Sequence, residues 1–192
     1  MAKVTWPGAP LLAPLPAALV TSGTMEKPNV ATVAWCGIAS SDPPKTYISL
    51  RKSRLSHEII SESGFFALHL TTSSLARAVD ACGVYSGRKK DKIRAWSLTP
   101  EKASKIPCPI LKQSPLVLEC KVDRILPLGS HDMFLADILA VDVEEDLIDE
   151  NGKLDLRRTN LMAYAHGDYI QLGKKVGSFG FAVRKKPKPP RR

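Results

Sequence analysis

Apolar residues in this chain come mostly as short runs and alternating stretches, and the pattern predicts a protein built chiefly of strands. The clearest case is Leu116 to Asp123, where Leu116, Leu118, Cys120 and Val122 share one face and Glu119, Lys121 and Asp123 point the other way. That period of two marks a half-buried antiparallel strand. Met133 to Val143 follows a Gly129-Ser130 turn and is expected to pair with it as a hairpin. Ala17 to Thr21, Val30 to Cys36 and Phe65 to Leu70 are nearly continuous apolar or β-branched runs, while Thr46 to Leu50 alternates. Two short segments read as helices. Ser56 to Ser63 turns Ile59 and Ile60 inward, with Ser56 as N-cap and Gly64 as stop. Leu75 to Cys82 is capped by Ser73 or Ser74 and ended by Gly83. Many strands with a few short helices imply a mainly β fold, a closed or nearly closed β-barrel with helical decoration.

Composition sets the scale and removes some function classes. At 192 residues with 44% hydrophobic content, the chain fits one domain with one substantial core. Its net charge of +9 suggests nucleic acid until it is mapped, because six of those nine charges sit in the last nine residues, Arg184 to Arg192. The body therefore carries only three. We divide the chain into a single domain over 1–180 and a basic, proline-rich tail over 181–192 that is expected to be disordered. The four cysteines form no CxxC pair, and His57, His69, His131 and His166 make no recognisable metal set. A reducing cytoplasm and no metal are expected. The apolar stretch Leu11 to Val20 is interrupted by Pro14 and Pro16, which argues against a signal peptide, and no membrane span is expected.

One loop concentrates anion-binding chemistry. Ser49-Leu50-Arg51-Lys52-Ser53-Arg54-Leu55-Ser56 runs from a strand end into the first predicted helix. Helix starts present unsatisfied N–H groups with partial positive charge, serine hydroxyls donate, and arginine grips two phosphate oxygens at once. An exposed basic turn with a capping serine explains the same residues equally well.

Several motifs, taken in order, resemble the flavin reductase-like family, the FMN-binding split barrels of flavoredoxin type. They are Ala18-Leu19-Val20-Thr21, Asn29 with Thr32, Ala34-Trp35 and Gly37, Asp42-Pro43-Pro44, the Ser49–Ser56 loop, Ser86-Gly87-Arg88 with Asp91-Lys92, Leu118-Glu119-Cys120 with Gly129-Ser130-His131, and Tyr164 with Tyr169 to Gly173. The resemblance spans roughly residues 10 to 175. It implies a Greek-key-like split barrel, bound FMN and a homodimer. It further implies that Asn29, Thr32, Trp35 and Cys36 line the isoalloxazine ring, and that Ser49, Leu50, Arg51, Ser53, Arg54 and Ser56 hold the ribityl phosphate. Lys92, with Ser86 and Lys89, adds charge there, and His131 and Tyr169 lie by the open ring face where a hydride donor stacks.

The implied activity is hydride transfer from NAD(P)H to flavin, with an unidentified onward electron acceptor. The protein's part in such chemistry is to fix and tune the cofactor, so the lack of a hydrolytic triad is expected. No Gly-rich dinucleotide fingerprint occurs, so no separate nicotinamide domain is expected. Two readings compete: an electron carrier of flavoredoxin type that never meets NAD(P)H, and an anion- or nucleic-acid-binding module using the basic loop and tail. No nucleic-acid partner is expected, because the body has little excess charge. A lone buried Cys36 reads more readily as an inert small hydrophobe than as a redox thiol. Trp35 fits a core position as well as a ring contact, and His131 fits a turn as well as a site. The family's Asn at the end of the fourth strand is replaced by His69, which puts any flavin contact from that position in doubt.

Overall fold

Between Leu15 and Arg51 the small and β-branched residues fold as five strands: β1 (Leu15–Pro16), β2 (Ala18–Gly23), β3 (Pro28–Val33), β4 (Cys36–Ser41) and β5 (Pro44–Arg51). Helix α1 (Leu55–Ser63) then carries the chain to β6 (Phe65–His69), which pairs with β2. Helices α2 (Ala76–Val84) and α3 (Lys92–Ala95) follow, then the short strands β7 (Pro100–Glu101) and β8 (Ile110–Leu111). The long hairpin β9 (Leu116–Pro127) and β10 (His131–Val143) completes the main sheet, and β11 (Met162–Ala165) and β12 (Asp168–Gln171) form a small sheet with β1. This computed structural model describes residues 1–184; most of the predicted tail lies outside the described residues.

The main sheet is antiparallel throughout, in the order β3-β2-β6-β9-β10-β5-β4. Its two end strands, β3 and β4, are joined by Ala34 and Trp35 alone, so the ends of the sheet meet at one corner. The sheet therefore curls into a barrel with its split at that corner. Ala18, Val20, Ile48, Leu50, Phe66, Cys120 and Phe134 fill the interior, joined by Ile60 from α1. On the outer side of β2 and β3, Ala17, Leu19 and Val30 pack against Val79 and Cys82 of α2 and Ile93 of α3. Strand β2 is thus buried on both faces, which is why its sequence shows no alternation.

Four expectations change. The run Val30 to Cys36 is two strands with a corner between them, and the strand continues to Ser41. Ser56 is not the N-cap of α1: Arg54 takes that position without a capping side chain, and Ser56 is buried within the first turn. Gly64 does end α1, in the left-handed conformation with its N–H donating to the Ile60 carbonyl. For α2 both ends differ: Gly83 lies inside its last turn, and neither Ser73 nor Ser74 caps it, both belonging to a 3-10 turn that leads into the helix. Glu119 is fully buried, because the segment before Ile110 covers that face of β9 and its carboxylate accepts from the N–H and hydroxyl of Ser104 and the N–H of Lys105 at 2.6–2.9 Å.

Candidate functional site

A cleft of about 320 Å³ opens at the split of the barrel, within the range of about 300–1,000 Å³ found for small-molecule sites. Strand β3 and the corner form one wall, the end of β5 and the start of α1 another, and α2 with the loop after it a third. The corner is tied to β5 by the Ser49 N–H, which donates to the Trp35 carbonyl at 2.8 Å.

One end of the cleft is built for an anion. Arg51, Arg54 and Lys92 line it, and among the described residues none of the three pairs with a carboxylate. Lys92 is buried, with its ammonium donating to the Cys82 carbonyl at 3.2 Å. Burial pushes its pKa below the ordinary lysine value, and the Arg54 charge acts in the same direction. A buried ammonium without a counter-charge is costly. The N-terminus of α1 adds its partial positive charge, since no side chain caps it and Leu55 and Ser56 both face the cleft.

Asn29 locks this end together. Its Nδ2 donates to Ser22 Oγ at 3.1 Å and Ser56 Oγ at 2.8 Å, so β2, β3 and α1 share one buried network. Gly87 presses against it: a Cβ at that position would lie 2.3 Å from Asn29 Oδ1 and 3.0 Å from Leu55 Cδ2. Only glycine allows the loop after α2 to approach so closely.

The cleft is also lined by Ala17, Ala31 and Ala34 and by aromatic rings. Trp35 and His131 are in tilted contact, their centroids 4.6 Å apart with planes inclined by 44°. Burial, reinforced by the Arg51 charge, lowers the pKa of His131. Tyr164 and Tyr169 face each other across 5.7 Å, and the Tyr169 hydroxyl reaches Asp80 at 3.5 Å. Thr32 donates its hydroxyl to the Val79 carbonyl, pinning α2 to β3.

The structure brings twelve of the residues expected from sequence onto this cleft: Asn29, Thr32, Trp35, Ser49, Leu50, Arg51, Arg54, Ser56, Ser86, Lys92, His131 and Tyr169. Ser53 and Lys89 are exposed and do not line it. Cys36 does not line it either: its side chain points into the barrel interior beside Ile48, and burial raises its thiol to about 12, leaving it protonated. Trp35, 39% exposed at the rim, is not a core residue. Sequence reasoning missed Ala31, Ala34, Leu55, Cys82, Tyr85 and Tyr164 as lining residues. Small and apolar side chains carry no chemical signal of a site, although the Gly87 motif marked where α2's loop would approach. His69, in the place of the family's Asn, is fully buried: its Nδ1 faces the Leu19 carbonyl at 3.2 Å and its Nε2 accepts the Leu111 N–H at 3.0 Å. It knits β6 to β2 and β8 and does not line the cleft. Among the described residues no cluster of His, Cys, Asp or Glu could hold a metal, and no helix is long and apolar enough to cross a membrane.

Residues 12–173 match the flavin reductase like domain. A protein of Archaeoglobus fulgidus is 35% identical over 130 residues, 68% of this chain and 73% of that protein. Flavoredoxin of Desulfovibrio vulgaris (Miyazaki F) superposes with a TM-score of 0.88 at 27% identity, over 95% of this chain and 100% of that one. An FMN-binding protein from Thermus thermophilus superposes with a TM-score of 0.77 at 25% identity, over 93% of this chain and 97% of that one.

Proposed function

The chain belongs to the flavin reductase-like domain family, and from that membership we propose that it binds FMN in the split-barrel cleft and acts as an oxidoreductase with NAD(P)H as electron donor. The observation that carries the reading is the convergence of Arg51, Arg54 and buried Lys92, all without carboxylate partners among the described residues, on the uncapped start of α1. A phosphate is the counter-charge that this donor set fits: two forked guanidiniums, one ammonium, serine hydroxyls and helix N–H groups. The small side chains of Ala17, Ala31 and Ala34 leave room in the cleft for a ring.

Arg51, Arg54, Lys92, Ser49 and Ser56 would hold the ribityl phosphate, and the β3 backbone, Thr32 and Trp35 would border the ring. When bound, the flavin supplies the redox chemistry, taking hydride from NAD(P)H and passing electrons to an acceptor. Trp35 and the tyrosine pair would border the ring, and the lowered pKa of His131 disfavours an imidazolium charge at the rim. Homodimerisation belongs to the same proposal and is supported by apolar side chains left exposed on the edge strand β4 and the N-terminal segment, notably Ile38, Trp6 and Leu12. A cytoplasmic setting is supported by four buried, unpaired cysteines.

The likeness to flavoredoxin favours a second reading, an electron carrier reduced by a protein partner. Anaerobic stopped-flow mixing of FMN-loaded protein with NADH and with NADPH separates the two. Bleaching faster than that of free FMN supports the reductase; bleaching no faster with either nucleotide leaves the carrier.

A further inference from the structure

Directly behind the loop that bears Arg51 and Arg54, a buried carboxylate grips the chain on both sides of Arg54. Asp132 lies in β10 opposite Leu50 of β5, one residue from His131, which pairs with Arg51. Its side chain is 9% exposed. Oδ2 accepts from His57 Nε2 at 2.8 Å, and Oδ1 faces Lys52 Nζ at 3.5 Å. Lys52 belongs to the loop itself and His57 to the first turn of α1, so one carboxylate spans the segment between strand and helix. His57 is in turn fixed edge-on against Phe134, with centroids 5.1 Å apart and planes at 81°, and its Nδ1 lies 3.5 Å from Ser61 Oγ. An ionised Asp132 can only accept, so Nε2 carries a proton. The hydrogen bond from His57 leads the interactions that hold the Asp132 carboxyl below the usual range, so it is ionised near neutrality.

None of Lys52, His57 and Asp132 lines the cleft. We propose that Asp132 is a positioning residue for phosphate recognition, holding Lys52 and His57 so that Arg51, Arg54 and the start of α1 keep one geometry toward the phosphate. This rests on the proposed FMN site. A carboxylate close behind a phosphate site opposes phosphate binding by charge alone, so its removal without rearrangement should tighten FMN. A positioning role requires the opposite. Loss of the tether lets the loop and first helical turn adopt other arrangements, and binding must then order them.

The test compares FMN with riboflavin, which lacks the phosphate, by fluorescence quenching on the wild type and on Asp132→Ala, Asp132→Asn and Lys52→Met. The wild-type arm reads the parent proposal: equal affinities for FMN and riboflavin would mean that the cleft does not use the phosphate. Given a wild-type preference, Asp132→Ala should weaken FMN about tenfold, the size of one coupling within a shared network, and riboflavin by less than about twofold. Asp132→Asn, which still accepts from His57, should restore part of the loss. Lys52→Met alters an exposed side chain and so tests the tether even if Asp132→Ala fails to fold; it should also lower the FMN preference, and its loss should not add to that of Asp132→Asn, because both variants weaken one tether. Tighter or unchanged FMN binding in the Asp132 variants, or an equal loss for both ligands, would overturn the proposal.

Discussion

The Lys92 ammonium donates to the backbone carbonyl of Cys82 at 3.2 Å inside the cleft and meets no carboxylate among the described residues. Its neighbours Arg51 and Arg54 share that condition. The cleft therefore gathers positive charge that a bound anion would neutralise.

Lys92→Met should separate stability from binding. Replacing a buried, unpaired charge by an apolar side chain of similar length leaves the flavin-free protein as stable or more so. FMN binding should weaken by about 1.5–3 kcal/mol, the worth of a hydrogen bond to a charged group. Thermal unfolding with and without FMN reads both quantities. A lower melting temperature without FMN, combined with an unchanged FMN shift, would make Lys92 a structural residue.

Gly87→Ala tests the close approach to Asn29. The new Cβ would stand 2.3 Å from Asn29 Oδ1, so either the loop retreats or the network of Asn29, Ser22 and Ser56 breaks. Overpacking of this kind costs about 1–3 kcal/mol. FMN affinity should fall together with stability, as measured by urea unfolding and flavin titration. Full affinity in Gly87→Ala would show that Asn29 and the start of α1 do not shape the site.

How far the sequence reveals this site depends on the kind of residue. The Ser49–Ser56 loop is legible because charge, hydroxyls and a helix start are local features. Its grip from behind is not: Asp132 and His57 stand 75 positions apart, and only strand register joins them. Alternation in β9 finds the strand but misplaces Glu119, because nothing in period two announces that a loop 14 residues earlier will cover the outer face. The run Val30 to Cys36 hides the corner for a related reason. β-branched and small residues suit both arms of a bend, and the bend is set by where β5 and the Trp35 carbonyl meet. The lining alanines are invisible because their role is to leave room.

His69 predicts acid sensitivity. Burial lowers its pKa from 6.5 to about 4, so between those values the unfolded chain takes up a proton that the folded chain does not. Stability is complete above about pH 6.5 and falls as pH drops toward 4, by up to about 3 kcal/mol. His69→Gln should flatten that dependence in denaturant unfolding across pH, at some cost in stability for the imperfectly replaced bonds to Leu19 and Leu111. An unchanged slope in the variant would assign the acid sensitivity elsewhere.

Trp35 offers an optical reading of the ring end. It lies tilted against His131, whereas Trp6 is in the exposed N-terminal segment and Trp96 sits outside the cleft lining. FMN binding should quench tryptophan emission, and Trp35→Phe should remove most of the quenching while leaving FMN affinity within about threefold, because phosphate contacts dominate. Quenching that persists in Trp35→Phe would place the ring away from this rim.

The central claim is that the split of the barrel holds FMN by its phosphate, and calorimetric titration of flavin-free protein with FMN and with riboflavin tests it most directly. We expect one FMN per chain, bound at least about tenfold more tightly than riboflavin, the least that one charge-assisted phosphate contact contributes. No binding of FMN, or equal affinity for the two flavins, would contradict it.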